Sequence, residues 1–157
     1  MNTWPRACGV ASNSPSHRDR GATDFAENRS LRRDARCLQG ARVLVVEDEF
    51  IIALEIQSDL EDAGAAVVGP AYTLAMAIDL ASHADISAAT LDLRLGRDSV
   101  RPVTQILAER GIPFVFYTGQ PANDPVRAEW PRARFLSKPA GAEEIVQAVA
   151  ELVKLHS

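Results

Sequence analysis

The 157-residue sequence lacks any apolar run close to the ~20 residues that a membrane span needs. Its N-terminus also lacks the charged-then-apolar layout of a secretory signal. The two cysteines, Cys8 and Cys37, match no metal-binding spacing, so they are interpreted as free thiols of a cytoplasmic protein. No Gly-Lys-Ser/Thr loop occurs, which disfavours a nucleoside-triphosphate hydrolase.

Charge is distributed unevenly along the chain. The net charge of −4 argues against general binding of nucleic acid. Residues 1–39 carry about +3 and show no sustained periodicity, which predicts a disordered extension; a basic contact arm, or a start codon that the cell does not use, is the alternative. Residues 40–157 carry about −7 and are long enough for one folded domain.

Strand-like and helix-like patterns alternate from Gly40 onward, which predicts a doubly wound α/β domain with a parallel sheet. The predicted strands are 42–47, 65–69, 86–92, 113–117 and 133–137. The predicted helices are 50–63, one that begins after the N-cap Thr73, 100–110, a short one at 125–130, and 142–155. The fourth helix is short because Asp124 and Pro125 start it and Pro131 limits it.

Polar side chains stand where four of these strands end. Glu47 and Asp48 follow the first strand, Asp92 the third, Thr118 the fourth and Lys138 the fifth. The carboxyl ends of parallel strands meet at one edge of the sheet, where ligands bind. We therefore expect these five side chains to converge.

Three carboxylates at neighbouring strand ends repel one another and need a cation. Oxygen ligands with room for water suit Mg²⁺. Taken alone, Glu47-Asp48-Glu49 is more simply a solvated turn, and Asp92 an ordinary acidic strand terminus. Their combination favours a metal site.

Asp92 is the candidate nucleophile, because a carboxylate that attacks phosphorus forms an aspartyl phosphate. Lys138 is one of only two lysines, beside Lys154, and offers a compact charge for a phosphoryl oxygen. Thr118 can donate its hydroxyl to the same group, and Gly119 permits close approach of the backbone.

Four short segments together resemble the receiver domain of two-component response regulators. They are VLVVEDE at 43–49, LDL at 91–93, YTG at 117–119 and FLSKP at 135–139. The resemblance covers residues 42–155. It implies a flavodoxin-like sheet of five parallel strands in the order 2-1-3-4-5, with five helices. The short fourth helix resembles stand-alone, single-domain receivers.

The resemblance implies a reaction at Asp92. This residue would accept a phosphoryl group from a sensor histidine kinase or a phosphotransfer protein. Magnesium would be held by Asp48, by Asp92, by the backbone carbonyl of Arg94 and, largely through water, by Glu47. The domain would catalyse only its own phosphorylation and dephosphorylation.

The same resemblance implies a switch. Thr118, Gly119 and Lys138 would bind the phosphoryl group, and Thr118 would swing toward it while Phe135 changes rotamer. The face formed by helix 4, strand 5 and helix 5 would then meet an unknown downstream protein. The bond between Lys138 and Pro139 would be cis.

Five positions depart from the family pattern. Gly96 stands where many receivers have proline, and Ala140 stands where phenylalanine is common. Tyr117 replaces an alanine of the stand-alone subgroup. Arg94 and Gln120 occupy positions that in the family tune the lifetime of the phosphoryl group.

Two alternatives to a switch remain open. A small Mg²⁺-dependent phosphohydrolase would also use an aspartyl phosphate, but such enzymes usually carry an acid at the position of Arg94. A scaffold that never binds phosphate would not need Asp48, Asp92, Thr118 and Lys138 together.

Overall fold

Seven strands and five helices are formed by residues 36–120 and 122–156, the part of the chain that this computed structural model describes. The strands are β1 Arg42–Val46, β2 Ala66–Ala71, β3 Ala88–Leu91, β4 Arg94–Leu95, β5 Asp98–Ser99, β6 Phe114–Thr118 and β7 Phe135–Ser137. The helices are α1 Phe50–Asp62, α2 Leu74–His83, α3 Arg101–Glu109, α4 Pro125–Glu129 and α5 Ala142–Leu155.

Five of the strands form one parallel sheet in the order β2-β1-β3-β6-β7. This order confirms the predicted 2-1-3-4-5 arrangement, because β4 and β5 pair only with each other outside that sheet. The register aligns Val46 with Leu91, Leu91 with Phe116, and Thr118 with Ser137. The carboxyl ends of β1, β3, β6 and β7 therefore lie side by side.

The core lies on both faces of the sheet, as the period of two along a strand requires. In β1, Val43 and Val45 pack with α1 and α5 on one face, whereas Leu44 and Val46 pack with α2 and α3 on the other. Both faces of the sheet are covered, which explains why the central strands are uniformly apolar. The charged residues that follow these strands are thereby set at the edge of the core.

A small hairpin was not predicted. β4 and β5 pair antiparallel across Leu95-Gly96-Arg97-Asp98, where Gly96 has a φ of +62°. A glycine at the first central position of a two-residue turn is the signature of a type II′ hairpin. Only two residues form each strand, too few for an alternating pattern to be recognised in the sequence.

The residues just before the predicted boundary at Gly40 also pack against the domain. Residues 36–40 form a turn in which Leu38 is buried and its N–H donates to the carbonyl of Ala63 at 2.9 Å. The rest of the predicted extension lies outside the described residues, as does Cys8. Cys37 is disulfide-bonded, so the prediction of a free thiol was wrong for this residue. No helix within the described ranges is long and apolar enough to cross a bilayer.

Candidate functional site

Four strand ends bring the predicted site residues together. Glu47 directly follows β1, Asp92 follows β3, Thr118 ends β6 and Lys138 follows β7. The ammonium nitrogen of Lys138 lies 2.8 Å from Asp92 Oδ2 and 2.7 Å from Glu47 Oε2. The hydroxyl of Thr118 donates to Asp92 Oδ1 at 3.0 Å. Both carboxylate oxygens of Asp92 are thus held by side chains from other strands.

These charges are withdrawn from solvent. The side chains of Glu47, Asp92 and Lys138 are 1%, 7% and 13% exposed. Burial of an ion is costly unless a counter-ion compensates for it. Lys138 supplies that compensation to both acids, by a hydrogen bond to Asp92 and by an ion pair with Glu47.

Burial and the neighbouring charges shift two pKa values. Burial raises the pKa of Glu47 to about 7, and the negative charge of Asp92 adds to this effect, while Lys138 opposes it. For Lys138, burial alone lowers the pKa, but the hydrogen bonds and charges of Asp92 and Glu47 outweigh burial and raise it above its usual range. Lys138 therefore stays charged, whereas Glu47 takes up a proton near neutral pH.

A cluster of four carboxylates opens from this site toward solvent. Glu47, Asp48, Glu49 and Asp92 each offer one oxygen, and these oxygens all lie within 4.8 Å of one another. Glu47 and Asp92 are buried, while Asp48 and Glu49 are exposed. A set of hard oxygen donors with an open, solvated side can hold a divalent cation. Glu49 was not predicted as a donor, although it directly follows the predicted pair.

The β4–β5 hairpin borders the acidic cluster. The N–H of Gly96 donates to Asp48 Oδ2 at 2.9 Å, and the N–H of Arg94 approaches Asp92 Oδ1 at 3.4 Å. The hairpin thus contacts a carboxylate after β1 and another after β3. It offers a backbone N–H to each of these carboxylates.

The side chain of Arg94 pairs with a carboxylate outside the acidic cluster. Its Nε lies 3.3 Å from Asp124 Oδ2, in an ion pair whose acidic side chain is 4% exposed. Asp124 Oδ1 accepts the N–H of Val126 at 2.9 Å and so caps α4, as predicted. The hairpin and the start of α4 are therefore joined by one buried carboxylate.

Solved structures that are similar to this chain include several response regulator proteins. No protein-family model matches the chain, and no curated protein sequence matches it significantly. A response regulator receiver protein from Sinorhizobium medicae is 27% identical, with a TM-score of 0.65, over 76% of this chain and 99% of its own. The response regulator PhyR from Brucella abortus is 26% identical, with a TM-score of 0.66, over 85% of this chain and 56% of its own.

A receiver domain protein from Methanospirillum hungatei shares the fold, with 19% identity, a TM-score of 0.67 and coverage of 74% of this chain and 95% of its own. The described part of this chain has the fold of a response regulator receiver domain. Receiver domains are signalling switches rather than conventional enzymes, and the acidic cluster of this one is compatible with Mg²⁺.

Phe135 lies in a stack at the far side of β6. The rings of Phe116 and Phe135 are 4.6 Å apart and nearly parallel, and the guanidinium of Arg127 lies 4.2 Å from the centre of the Phe135 ring. A cavity of about 430 Å³ is lined by Asp124, Arg127 and Phe135, among other residues. The domain therefore has a half-buried aromatic ring held between its core and a half-buried cation.

Gly119 and the segment after Lys138 also border the site. A Cβ added at Gly119 would meet only Cδ of Lys138, at 4.0 Å, so packing alone does not require glycine there. The peptide bond between Lys138 and Pro139 is cis, as the resemblance implies. The N–H of Lys138 donates to the carbonyl of Thr118 at 3.0 Å, which ties this segment to the end of β6.

Proposed function

We propose that this receiver domain is a switch that accepts a phosphoryl group on Asp92. The observation that carries the proposal is the environment of this carboxylate. Its two oxygens are held by the hydroxyl of Thr118 and the ammonium of Lys138, beside a cluster of acids. A structural salt bridge would need neither the hydroxyl nor the extra negative charge. The donor would be a sensor histidine kinase or a phosphotransfer protein in the cytoplasm.

In the proposed reaction, an oxygen of Asp92 attacks the phosphorus of a phosphohistidine. A P–O bond forms while the P–N bond breaks, and the electron pair of that bond remains on the imidazole nitrogen. Lys138 and Thr118, which already contact the acceptor oxygens, would then bind oxygens of the transferred group. The backbone at Gly119 would border the same group.

Four groups would hold Mg²⁺ next to the acceptor. They are the carboxylates of Asp48 and Asp92, the backbone carbonyl of Arg94 and, through water, the carboxylate of Glu47. The ion would neutralise charge on the transferring phosphoryl group. The oxygen-only donor set and its exposed side fit this role.

The switch would begin at Thr118. Its hydroxyl already donates to Asp92, so it can swing toward a phosphoryl group bound there and donate this hydrogen bond to that group instead. The N–H of Gln120 donates to the same hydroxyl oxygen at 3.1 Å and would follow it. A rotamer change of Phe135 would open its stack and alter the face of α4, β7 and α5, where we place the downstream protein partner.

The experiment that tests this function uses radiolabelled, phosphorylated histidine kinases from the same organism, with and without Mg²⁺. We expect label to move to the wild-type protein only with Mg²⁺, and the matched Asp92→Asn variant to stay unlabelled while it remains folded. Stable labelling of Asp92→Asn would move the acceptor elsewhere. Absence of label on the wild type, from kinases and from acetyl phosphate alike, would favour a scaffold.

The alternative of a phosphohydrolase has less support. Such an enzyme needs an acid or base near the nucleophile to act on the leaving group. Arg94 occupies that position, and its guanidinium is engaged by Asp124. Repeated turnover of a small phosphate ester, with no dependence on a kinase, would be the result that favours it.

A further inference from the structure

Tyr117 lies directly beneath the segment that carries Lys138. It is the residue before Thr118 in β6, is 6% exposed, and belongs to the core cluster on the α1 and α5 face. Its phenol oxygen accepts a hydrogen bond from the N–H of Ala140 at 3.0 Å. A buried phenol normally finds a partner, but this partner lies two residues after the site lysine.

The segment 138–140 is held at two points by adjacent residues of one strand. The N–H of Lys138 donates to the carbonyl of Thr118, and the N–H of Ala140 donates to the hydroxyl of Tyr117. Pro139, between them, has no N–H to donate. Both main-chain donors of this segment are thus satisfied by β6. The side chain of Ala140 also packs against this core cluster, so the phenol adds a directional contact to a packed residue.

The ring of Tyr117 also approaches the charge itself. The ammonium nitrogen of Lys138 lies 5.7 Å from the centre of the ring, within the range of a cation–π contact. A lysine has four flexible bonds, and fixing them costs conformational entropy. A backbone held at both ends and an aromatic surface near the ammonium reduce the freedom that must be lost when the lysine binds a phosphoryl oxygen.

We propose that Tyr117 is a positioning residue for Lys138, and that its hydroxyl holds the ammonium in place for phosphoryl binding. This inference rests on the proposed function and deepens it. If Tyr117 only filled the core, phenylalanine would serve equally well. The hydroxyl is therefore the group to test.

The test compares Tyr117→Phe with Tyr72→Phe, the same change at the other tyrosine, whose ring contacts Phe50 away from the lysine segment. The probe is beryllofluoride, a phosphoryl mimic, bound in the presence of Mg²⁺. We expect Tyr117→Phe to weaken beryllofluoride binding by about three- to tenfold, the effect of one hydrogen bond. Its affinity for Mg²⁺ alone, and both affinities of Tyr72→Phe, should match those of the wild type.

A second background separates positioning from general support of the fold. With Lys138→Met already present, Tyr117→Phe should cause no further loss of beryllofluoride affinity, because there is no ammonium left to position. An equal loss in both backgrounds, or a parallel loss of Mg²⁺ affinity, would overturn the proposal.

A measurement on the wild type covers the case in which Tyr117→Phe does not fold. The amide of Ala140 should be protected from hydrogen exchange, and rapid exchange of this amide would overturn the proposal without any variant. If the wild type fails to bind beryllofluoride, the proposed function itself fails. If the wild type binds it and Tyr117→Phe binds equally well, only the role of Tyr117 fails.

Discussion

The ammonium of Lys138 lies 2.8 Å from Asp92 and 2.7 Å from Glu47, so one cation balances two buried carboxylates. Above the pKa of Glu47, which is about 7, the site therefore retains a negative charge that a divalent cation can offset. A phosphoryl group would bring further negative charge, which requires both the lysine and the metal. We therefore expect Lys138 and the metal ion to have separate roles in balancing the charge of the site.

Replacement of Lys138 by methionine should distinguish the role of the lysine from the role of the metal ion. We expect Lys138→Met to lose phosphoryl uptake and to keep its affinity for Mg²⁺, because the lysine contacts the carboxylates without belonging to the acidic cluster. Without metal, the variant should be destabilised by about 3–5 kcal/mol, since two buried acids lose their counter-ion. Calorimetric titration with Mg²⁺ and acetyl phosphate labelling would measure both effects.

The other lysine provides the control for this change. Lys154→Met, near the end of α5, should behave as the wild type does in both assays. A fall in Mg²⁺ affinity of Lys138→Met that matches its loss of labelling would contradict the division between the lysine and the metal.

The raised pKa of Glu47 predicts how pH acts on the metal-free protein. The folded state holds a proton on Glu47 up to a pKa of about 7, whereas the ordinary value is 4.5. Between these values the folded state binds more protons than the unfolded state, so the free energy of unfolding falls as pH rises through this window. Urea denaturation of wild type and Glu47→Gln at each end of the window would check it, and the variant should lack this contribution.

The affinity for Mg²⁺ should depend on the same proton of Glu47, but it should rise as the pH rises, whereas the free energy of unfolding falls. A protonated Glu47 cannot assist the cation, so the apparent affinity should rise from one unit below to one unit above the pKa of about 7. Glu47→Gln should show a flatter profile. An unchanged slope in this variant would place the titrating group elsewhere.

Asp124 has two roles that two substitutions can separate. Asp124→Asn keeps an oxygen for the N–H of Val126 but removes the charge that pairs with Arg94, whereas Asp124→Ala removes both contacts. We expect Asp124→Ala to destabilise the capped helix by about 1 kcal/mol more than Asp124→Asn does. Hydrogen exchange of the α4 amides would report the difference, and equal exchange in both variants would mean that the cap contributes nothing.

Gly69 and Gly96 both have a positive φ but differ in the space that surrounds them. Gly69 has a φ of +94°, and an added Cβ would lie 2.7 Å from the backbone nitrogen of Ala71. Gly96 has a φ of +62° with no atom within 4 Å of an added Cβ. We expect Gly96→Ala to cost about 1 kcal/mol from backbone strain alone and Gly69→Ala to cost more, as measured by urea denaturation. Equal losses would show that the backbone near Gly69 adapts.

The sheet and the convergence at Asp92 could be predicted because they depend on local patterns. Apolar runs define strands, and the residue after each run must lie at the sheet edge. Lys138 stood out by its rarity in an arginine-rich sequence. The short α4 followed from Asp124 and Pro125, which define its start regardless of the rest of the fold.

Other features depend on contacts between distant parts of the chain. The hydrogen bond from Ala140 to Tyr117 and the ion pair of Arg94 with Asp124 join residues more than twenty positions apart, and no spacing rule connects them. Leu38 was assigned to the polar extension, because a single leucine cannot show the repeated spacing of apolar residues that predicts a helix or a strand. Gly96 did carry a hairpin signal, but the strands beside it are too short to confirm it from sequence.

Helix α4 contains only five residues, Pro125–Glu129, too few for a helix that persists by itself in water. Its conformation rests on the side chain of Asp124 at one end and the buried Val126 beneath it. We expect the loss of a single such contact to change the surface that α4 presents. The domain thus combines a sheet that holds the site residues in fixed positions with one weakly stabilised helix, α4. The conformation of this helix can change at low energetic cost.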